Sequence, residues 1–213
     1  MELINPAADK YVCIHSSATN VLLQEIHDHT HLHHAEPHML SGPIQGKFLS
    51  MVSRMIKPKR ILEIGTLTGY STLCLAEGLS PEGEIHTIEL RPEDASIAQD
   101  FFDRSSYQKQ IKLHIGNAHE IIPHLKENWD LIFVDAEKTG YIDYYQMLIE
   151  MVAPGAFMLF DNVLFHGEVL KTEVKGKSAI AINNFNDYIM KEERVDKVML
   201  SIRDGITIIQ KLY

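Results

Sequence analysis

The sequence predicts an α/β fold with a mostly parallel, doubly wound sheet that closes on one antiparallel strand. Three observations predict it. From residue 60 onward, apolar runs of strand length alternate with helical patterns. The first of these runs, in RILEIGTLTGYS, ends in a glycine turn, Gly65-Thr66-Leu67-Thr68-Gly69, that leads directly into a helical pattern. The last two runs flank Arg203-Asp204-Gly205, and Asp-Gly is hairpin chemistry.

The chain reads as a single domain, with residues 1–59 as an N-terminal helical section or lid and residues 60–213 as the α/β core. In the first section, residues 18–29 place Val21, Leu22, Leu23 and Ile26 on one helical face. The next stretch, THLHHAEPHML, reads as a polar, partly mobile lid. His27, His29, His31, His33, His34 and His38 crowd it, a pattern that suits transition metals, but the run lacks the second shell of a specific site. Ser41-Gly42-Pro43 breaks the chain. Residues 44–56 then form a helix with Phe48, Leu49, Val52, Met55 and Ile56 toward a core, ended by Pro58.

After the strand at residue 60 come a helix over 71–77 and a turn at 80–83. A second strand, 84–90, ends near Glu89. Pro92 opens a helix to about Ser105. A third strand spans 111–115, followed by the Gly116-Asn117-Ala118 loop and a short helix over 119–126. WDLIFV, residues 129–134, is nearly all apolar, as a buried parallel strand should be, and ends in Asp135-Ala136-Glu137-Lys138. A helix over 141–152, a turn at Pro154-Gly155 and a strand over 156–160 lead to Asp161-Asn162. Residues 163–177 read as an irregular loop over a substrate. A helix over 178–193 and strands over 195–202 and 205–212 complete the chain.

Composition narrows the function. The 20 Lys and Arg against 29 Asp and Glu give a net charge of −9, which disfavours nucleic acid as a partner. The N-terminus has no apolar signal segment and no run approaches a membrane span, so neither secretion nor a membrane is expected. Cys13 and Cys74 fit no metal or redox spacing and suit a reducing compartment, the cytoplasm.

The glycine turn selects a ligand class. A dinucleotide fingerprint is G-x-G-x-x-G; here Glu63 precedes Gly65 and the spacing to Gly69 is longer. A carboxylate there repels a pyrophosphate and suits a positively charged ligand such as S-adenosylmethionine (SAM), with its ammonium and sulfonium. Glu89 at the next strand end suits both ribose hydroxyls of an adenosine, and the 116–118 loop suits its adenine.

Two further strand ends carry acids. Asp135, Asp161 and Asn162 offer two carboxylates and an amide oxygen, a hard set suited to Mg²⁺, and also to Mn²⁺ or Ca²⁺. A divalent cation lowers the pKa of a bound phenol, and a vicinal diol chelates it. Lys138, beside such a cation, should have a lowered pKa and accept the phenol proton.

Together these residues resemble the cation-dependent O-methyltransferases of the caffeoyl-CoA O-methyltransferase type, bacterial members included, and more distantly catechol O-methyltransferase. The resemblance runs from about Val21 to Leu212 through GPIQGKFL, LEIGTLTGYSTL, IFVDAEK, YYQML, LFDNVLFHG and RDGI, in the family's order. It implies a Rossmann-like, seven-stranded SAM methyltransferase fold with helices on both faces, and a homodimer. It implies SAM contacts at Ser41, Glu63, Gly65, Thr66, Ser71, Glu89, Ala118, Asp135, Glu137 and Tyr144. It implies metal ligation by Asp135, Asp161 and Asn162, with Lys138 and Asp135 catalytic.

The acceptor it implies is catechol-like or caffeoyl-type. Glu137 stands where plant enzymes more often have Asp, and His166 where they have a substrate-contacting Asn. The histidine-rich segment is also unlike theirs, which weakens caffeoyl-CoA itself as the substrate. The rival readings are an NAD-dependent oxidoreductase, disfavoured by Glu63, and a nucleic-acid methyltransferase, disfavoured by charge and by Asp135-Ala136-Glu137-Lys138. A non-catalytic SAM-binding protein would not need Lys138 and the metal set.

Overall fold

A computed structural model describes residues 3–213. It holds a seven-stranded mixed sheet ordered β3-β2-β1-β4-β5-β7-β6, in which β7 alone runs antiparallel to its neighbours. The helical section begins with α1, Pro6–Ile14. The chain divides into two compact units, Lys10–Lys126 and Glu127–Tyr213, the second together with the chain start up to Asp9.

The first unit carries β1 (Arg60–Ile64), β2 (Glu84–Glu89) and β3 (Ile111–Ile115), paired in parallel. Their register sets Glu63 opposite Thr87 and Glu89 opposite Ile115. Helices α2 (Val21–His33), α3 (Pro43–Ile56), α4 (Tyr70–Ala76), α5 (Pro92–Asp103) and α6 (Ala118–Ile121) complete it. α2 starts where Asn20 accepts the Leu23 N–H at 2.9 Å, a side-chain cap. α3 opens on Pro43, whose fixed φ suits the first helical position, and ends at Lys57 in the left-handed region.

α2 corrects the expected lid. The helix runs four residues beyond 29, through most of the histidines, to His33. Thr30 holds it there: this buried hydroxyl bonds the Ile26 carbonyl at 2.7 Å and Thr68 at 2.8 Å. A tertiary contact overrides the weak helix preference of Thr and His. Only a 3₁₀ turn, Pro37–Met39, follows. The short helix expected over 119–126 is likewise α6 plus a 3₁₀ turn, because Pro123 cannot continue the helix.

The second unit holds β4 (Trp129–Val134), α7 (Tyr141–Ile149), β5 (Val152–Asp161), α8 (Lys177–Lys191), β6 (Val195–Leu200) and β7 (Ile206–Lys211). Here α7 is three residues shorter than expected and β5 starts earlier. Val152 already pairs with Trp129, and the register then jumps so that Leu131 meets Phe157. Pro154-Gly155 is therefore a bulge within a strand, not a turn before one. The expected loop over 163–177 contains a 3₁₀ segment, Phe165–Leu170.

An aromatic cluster packs this unit. Phe160 and Phe185 have ring centroids 4.7 Å apart, and Tyr141 meets each of them edge-on at 5.4 Å. Each such buried ring contributes roughly 1.5–3 kcal/mol of transfer free energy. The cluster fixes Tyr141 beside the end of β5.

Candidate active site

At the first strand end, β1 delivers Glu63 into the interior. It is fully buried, and its Oε2 accepts the Thr87 hydroxyl at 2.6 Å and the Thr72 hydroxyl. Thr87 also meets Thr66 at 2.5 Å, so three threonines from β2, α4 and the turn converge around this acid. The turn itself passes through left-handed residues, Gly65 at φ 102°, Leu67 at 50° and Gly69 at 89°. A side chain at Gly69 would collide with Phe102 and would strain the backbone, so only glycine fits.

Glu89 closes the turn from β2. Its Oε2 accepts the Leu67 N–H at 2.7 Å and its Oε1 the Arg91 N–H at 2.9 Å. Each carboxylate oxygen has a second lone pair, so the group retains acceptor capacity. Arg91 in turn pairs with Asp94 at 2.5 Å and Glu36 at 3.5 Å, and His34 bonds Asp94 at 3.1 Å. Ser41, Ser71 and Ala118 are buried in the same unit. Gly116 N–H donates to the Glu89 carbonyl at 2.8 Å, holding the 116–118 loop against β2.

In the second unit, Asp135 follows β4 and Lys138 opens a 3₁₀ turn ahead of α7. Lys138 Nζ donates to Asp135 Oδ1 at 2.6 Å and to Tyr141 Oη at 3.0 Å. Tyr141, fully buried, donates to the Asp161 carbonyl at 2.9 Å. This chain of contacts ties the end of β4 to the end of β5. Burial by itself lowers the Lys138 pKa. The negative charge of Asp135, joined by that of Asp161, overrides it and holds the ammonium above the ordinary lysine range. The lowered pKa expected from the sequence refers to Lys138 beside a bound cation, a different electrostatic setting from this one. Burial also raises the Tyr141 phenol, which stays protonated.

Asp161 is fully buried, and its Oδ1 accepts the Asn162 N–H at 2.8 Å. Asn162 adopts φ 56°, which asparagine tolerates. Its Nδ2 donates to Asp204 Oδ2 at 3.1 Å. A carboxylate can only accept, so the atom facing Asp204 must be the amide nitrogen, and the amide oxygen lies on the other edge. An amide oxygen so freed, with the Asp135 and Asp161 carboxylates at neighbouring strand ends, is a donor set that suits a hard divalent cation.

Two expected SAM contacts sit differently from one another. Glu137 is exposed and caps the 3₁₀ turn through the Thr139 N–H at 2.9 Å, whereas Tyr144 is buried and its phenol is raised by burial and by Glu137. Among the described residues, no three His, Cys, Asp or Glu side chains gather as metal ligands, and along α2 His27 stacks on His31 while His29 meets His33 at a tilt. Sequence reasoning missed Tyr141 and Asp204. Tyr141 lies three residues after Lys138, a helical neighbour spacing that signals contact. Asp204 was read only as a turn residue.

A glycine turn after the first parallel strand, acids at successive strand ends and one reversed strand define the Rossmann-like methyltransferase class. The chain belongs to the O-methyltransferase family, whose model matches residues 14–212. It is 34% identical over 170 residues to a catechol O-methyltransferase of Niastella koreensis, covering 78% of this chain and 77% of that one. It is 33% identical to probable caffeoyl-CoA O-methyltransferase 2 of Dictyostelium discoideum, covering 82% and 78%. Among solved structures it is similar to the O-methyltransferase TomG of Streptomyces achromogenes, involved in tomaymycin synthesis and crystallised with SAM. That likeness has a TM-score of 0.88 and 26% identity, and covers 97% of this chain and 96% of that one.

Proposed function

We propose that this enzyme transfers the methyl group of SAM to one hydroxyl of a catechol-like or caffeoyl-type acceptor, aided by a divalent cation, Mg²⁺ foremost. The observation that carries this reading is that Lys138 pairs with Asp135 and, through Tyr141, with the Asp161 backbone carbonyl, which holds together the ends of β4 and β5, each bearing an acid. The family, and the names of the relatives that act on catechol or caffeoyl-CoA, support the acceptor class.

On this reading, Ser41, Glu63, Gly65, Thr66, Ser71, Glu89 and Ala118 hold SAM. Glu89 accepts the ribose hydroxyls with its remaining lone pairs. Glu63, buried behind the turn, supplies negative potential for the cationic cofactor. Glu137, Tyr144 and Asp135 complete the cofactor contacts. Asp135, Asp161 and the Asn162 amide oxygen hold the cation, which when bound lowers the pKa of a phenol and fixes its orientation. Lys138 takes the phenol proton once the charge of Asp135 and Asp161 is neutralised, since those acids are what hold its own proton. Held in line with the methyl sulfonium, the phenolate oxygen gains most of its advantage from position.

Among the described residues no helix is long and apolar enough to cross a membrane. A cytoplasmic setting is proposed from the cysteine usage. A homodimer is proposed from the family, and exposed Leu32 on α2 with Met51 and Met55 on α3 give apolar surface for a second copy.

The test is methyl transfer from labelled SAM to vicinal diphenols and caffeoyl esters, with Mg²⁺ and with EDTA. Magnesium-dependent methylation of a diphenol is the expected result. EDTA-insensitive turnover removes the cation from the reading, and no turnover on any diphenol or caffeoyl ester removes the acceptor class.

A further inference from the structure

We infer that Asp204 is a positioning residue that selects which atom of Asn162 is presented as a metal ligand. The inference rests on the proposed cation site and extends it to a residue outside the ligand set.

The turn between β6 and β7 grips the loop that follows β5. Asp204 is buried, and its Oδ2 accepts Asn162 Nδ2 at 3.1 Å while its Oδ1 accepts the His166 N–H at 2.5 Å. The backbone repeats the grip: the Leu164 N–H donates to the Asp204 carbonyl at 2.9 Å and the Val163 N–H to the Gly205 carbonyl at 3.2 Å. The loop held this way is contorted, with Asn162, Phe165, His166 and Gly167 all at positive φ. Gly205 (φ 85°) lies so close to Leu164 that a side chain there would clash with it.

An amide is nearly symmetric in shape but not in chemistry. Its oxygen binds a hard cation and its nitrogen does not. Nothing in the Asn162 backbone distinguishes the two orientations. Asp204 does, because it is acceptor-only and meets donors on both oxygens. An Asn at position 204 would carry one donor and one acceptor. With two donors to meet and one oxygen to offer, it would set its own nitrogen against either the Asn162 nitrogen or the His166 N–H, so the donor match is lost on one side, unless Asn162 turns over and presents nitrogen to the cation.

The experiment is Mn²⁺ titration of the intact enzyme, read by calorimetry and by electron paramagnetic resonance of free Mn²⁺, with SAM affinity as a parallel readout. Asp204→Asn should weaken Mn²⁺ binding at least about tenfold, in the range seen when the partner orienting a ligand is lost, with SAM affinity little changed. The exchanged pair, Asn162→Asp with Asp204→Asn, puts oxygen on both edges of residue 162 and restores a donor–acceptor match. It should bind Mn²⁺ more tightly than Asp204→Asn alone. If Asp204→Asn does not fold, the exchanged pair is compared with Asn162→Asp, which sets two acids face to face and should bind more weakly than the pair. Wild-type affinity in Asp204→Asn, or no gain in the exchanged pair, overturns the inference alone. A wild-type enzyme that binds no Mn²⁺ overturns the cation reading and this inference with it.

Discussion

At the ends of β1 and β2, Glu63 is met by the hydroxyls of Thr72 and Thr87, and Glu89 by the N–H groups of Leu67 and Arg91, with the half-exposed Arg91 guanidinium 3.6 Å away. At the ends of β4 and β5, Asp135 is met by the Lys138 ammonium, and Asp161 is linked to the same lysine through Tyr141. The first arrangement orients its carboxylates mainly with hydroxyl and backbone N–H donors, and the one cation beside it, Arg91, is shared with Asp94 and Glu36. The second pairs an acid with an ammonium and ties both, through Tyr141, to the Asp161 backbone. Both use an acid after a parallel strand, so the strand end alone does not set its role. The partner supplied by tertiary packing does.

Substitutions should separate the two regions. The largest effect belongs to Asp135→Ala, which removes both an expected cation ligand and the partner of Lys138. Turnover should fall by about a hundredfold or more, on the scale of losing an electrostatic stabiliser. SAM affinity measured by calorimetry should fall by less than turnover, since Asp135 is one of several proposed cofactor contacts; a fall as large as that in turnover would mean that the two regions do not act separately.

Glu89→Gln should do the reverse. It turns one acceptor oxygen into a donor facing the Leu67 or Arg91 N–H, and it removes charge. SAM affinity should weaken by roughly tenfold, the equivalent of a charge-assisted hydrogen bond, while Mn²⁺ affinity holds. Mn²⁺ binding that weakens in parallel would erase the distinction.

Tyr141→Phe sharpens the acid–lysine region without touching an acid. It leaves the buried Asp161 carbonyl without its phenol donor and should cost about 1–2 kcal/mol in denaturant unfolding. It also removes one of the groups that face Lys138, so the pH profile of kcat should shift. An unchanged midpoint and profile would show Tyr141 to be packing only.

The smallest effect lies away from both regions. The Arg194 guanidinium, bonded to Glu192, draws that carboxyl down to about 2 from an ordinary 4.5. A depressed acid contributes stability that is present above the unfolded value and is lost as pH falls from about 4.5 toward 2. Glu192→Gln should therefore flatten the acid limb of the stability profile over that window and lower stability only slightly at pH 7. Thermal unfolding from pH 2 to 7 checks it, and an acid limb as steep as in the wild type would remove Glu192 from the account.

What the sequence determined by itself is local or periodic. Alternating strand and helix patterns, the Gly65–Gly69 turn and the acids at four strand ends follow from short-range chemistry; the turn and the acids fall where the pattern places them, and the elements do so apart from the bounds of α2, α6, α7 and β5. The reversed last strand was legible too, because Asp-Gly constrains its own backbone.

Tertiary structure decided whatever depends on a partner distant in sequence. α2 continues to His33 because Thr68, 38 residues away, receives Thr30. Pro154-Gly155 is a bulge because Trp129 pairs with Val152. Tyr141 joins Lys138 to the end of β5 because the Asp161 carbonyl, 20 residues away, receives its phenol. Asp204 reads as a turn until Asn162, 42 residues earlier, is found against it. The physical reason is the same in each case. Backbone preferences are written residue by residue, whereas burial, charge and hydrogen-bond pairing are settled only by the neighbours that folding supplies.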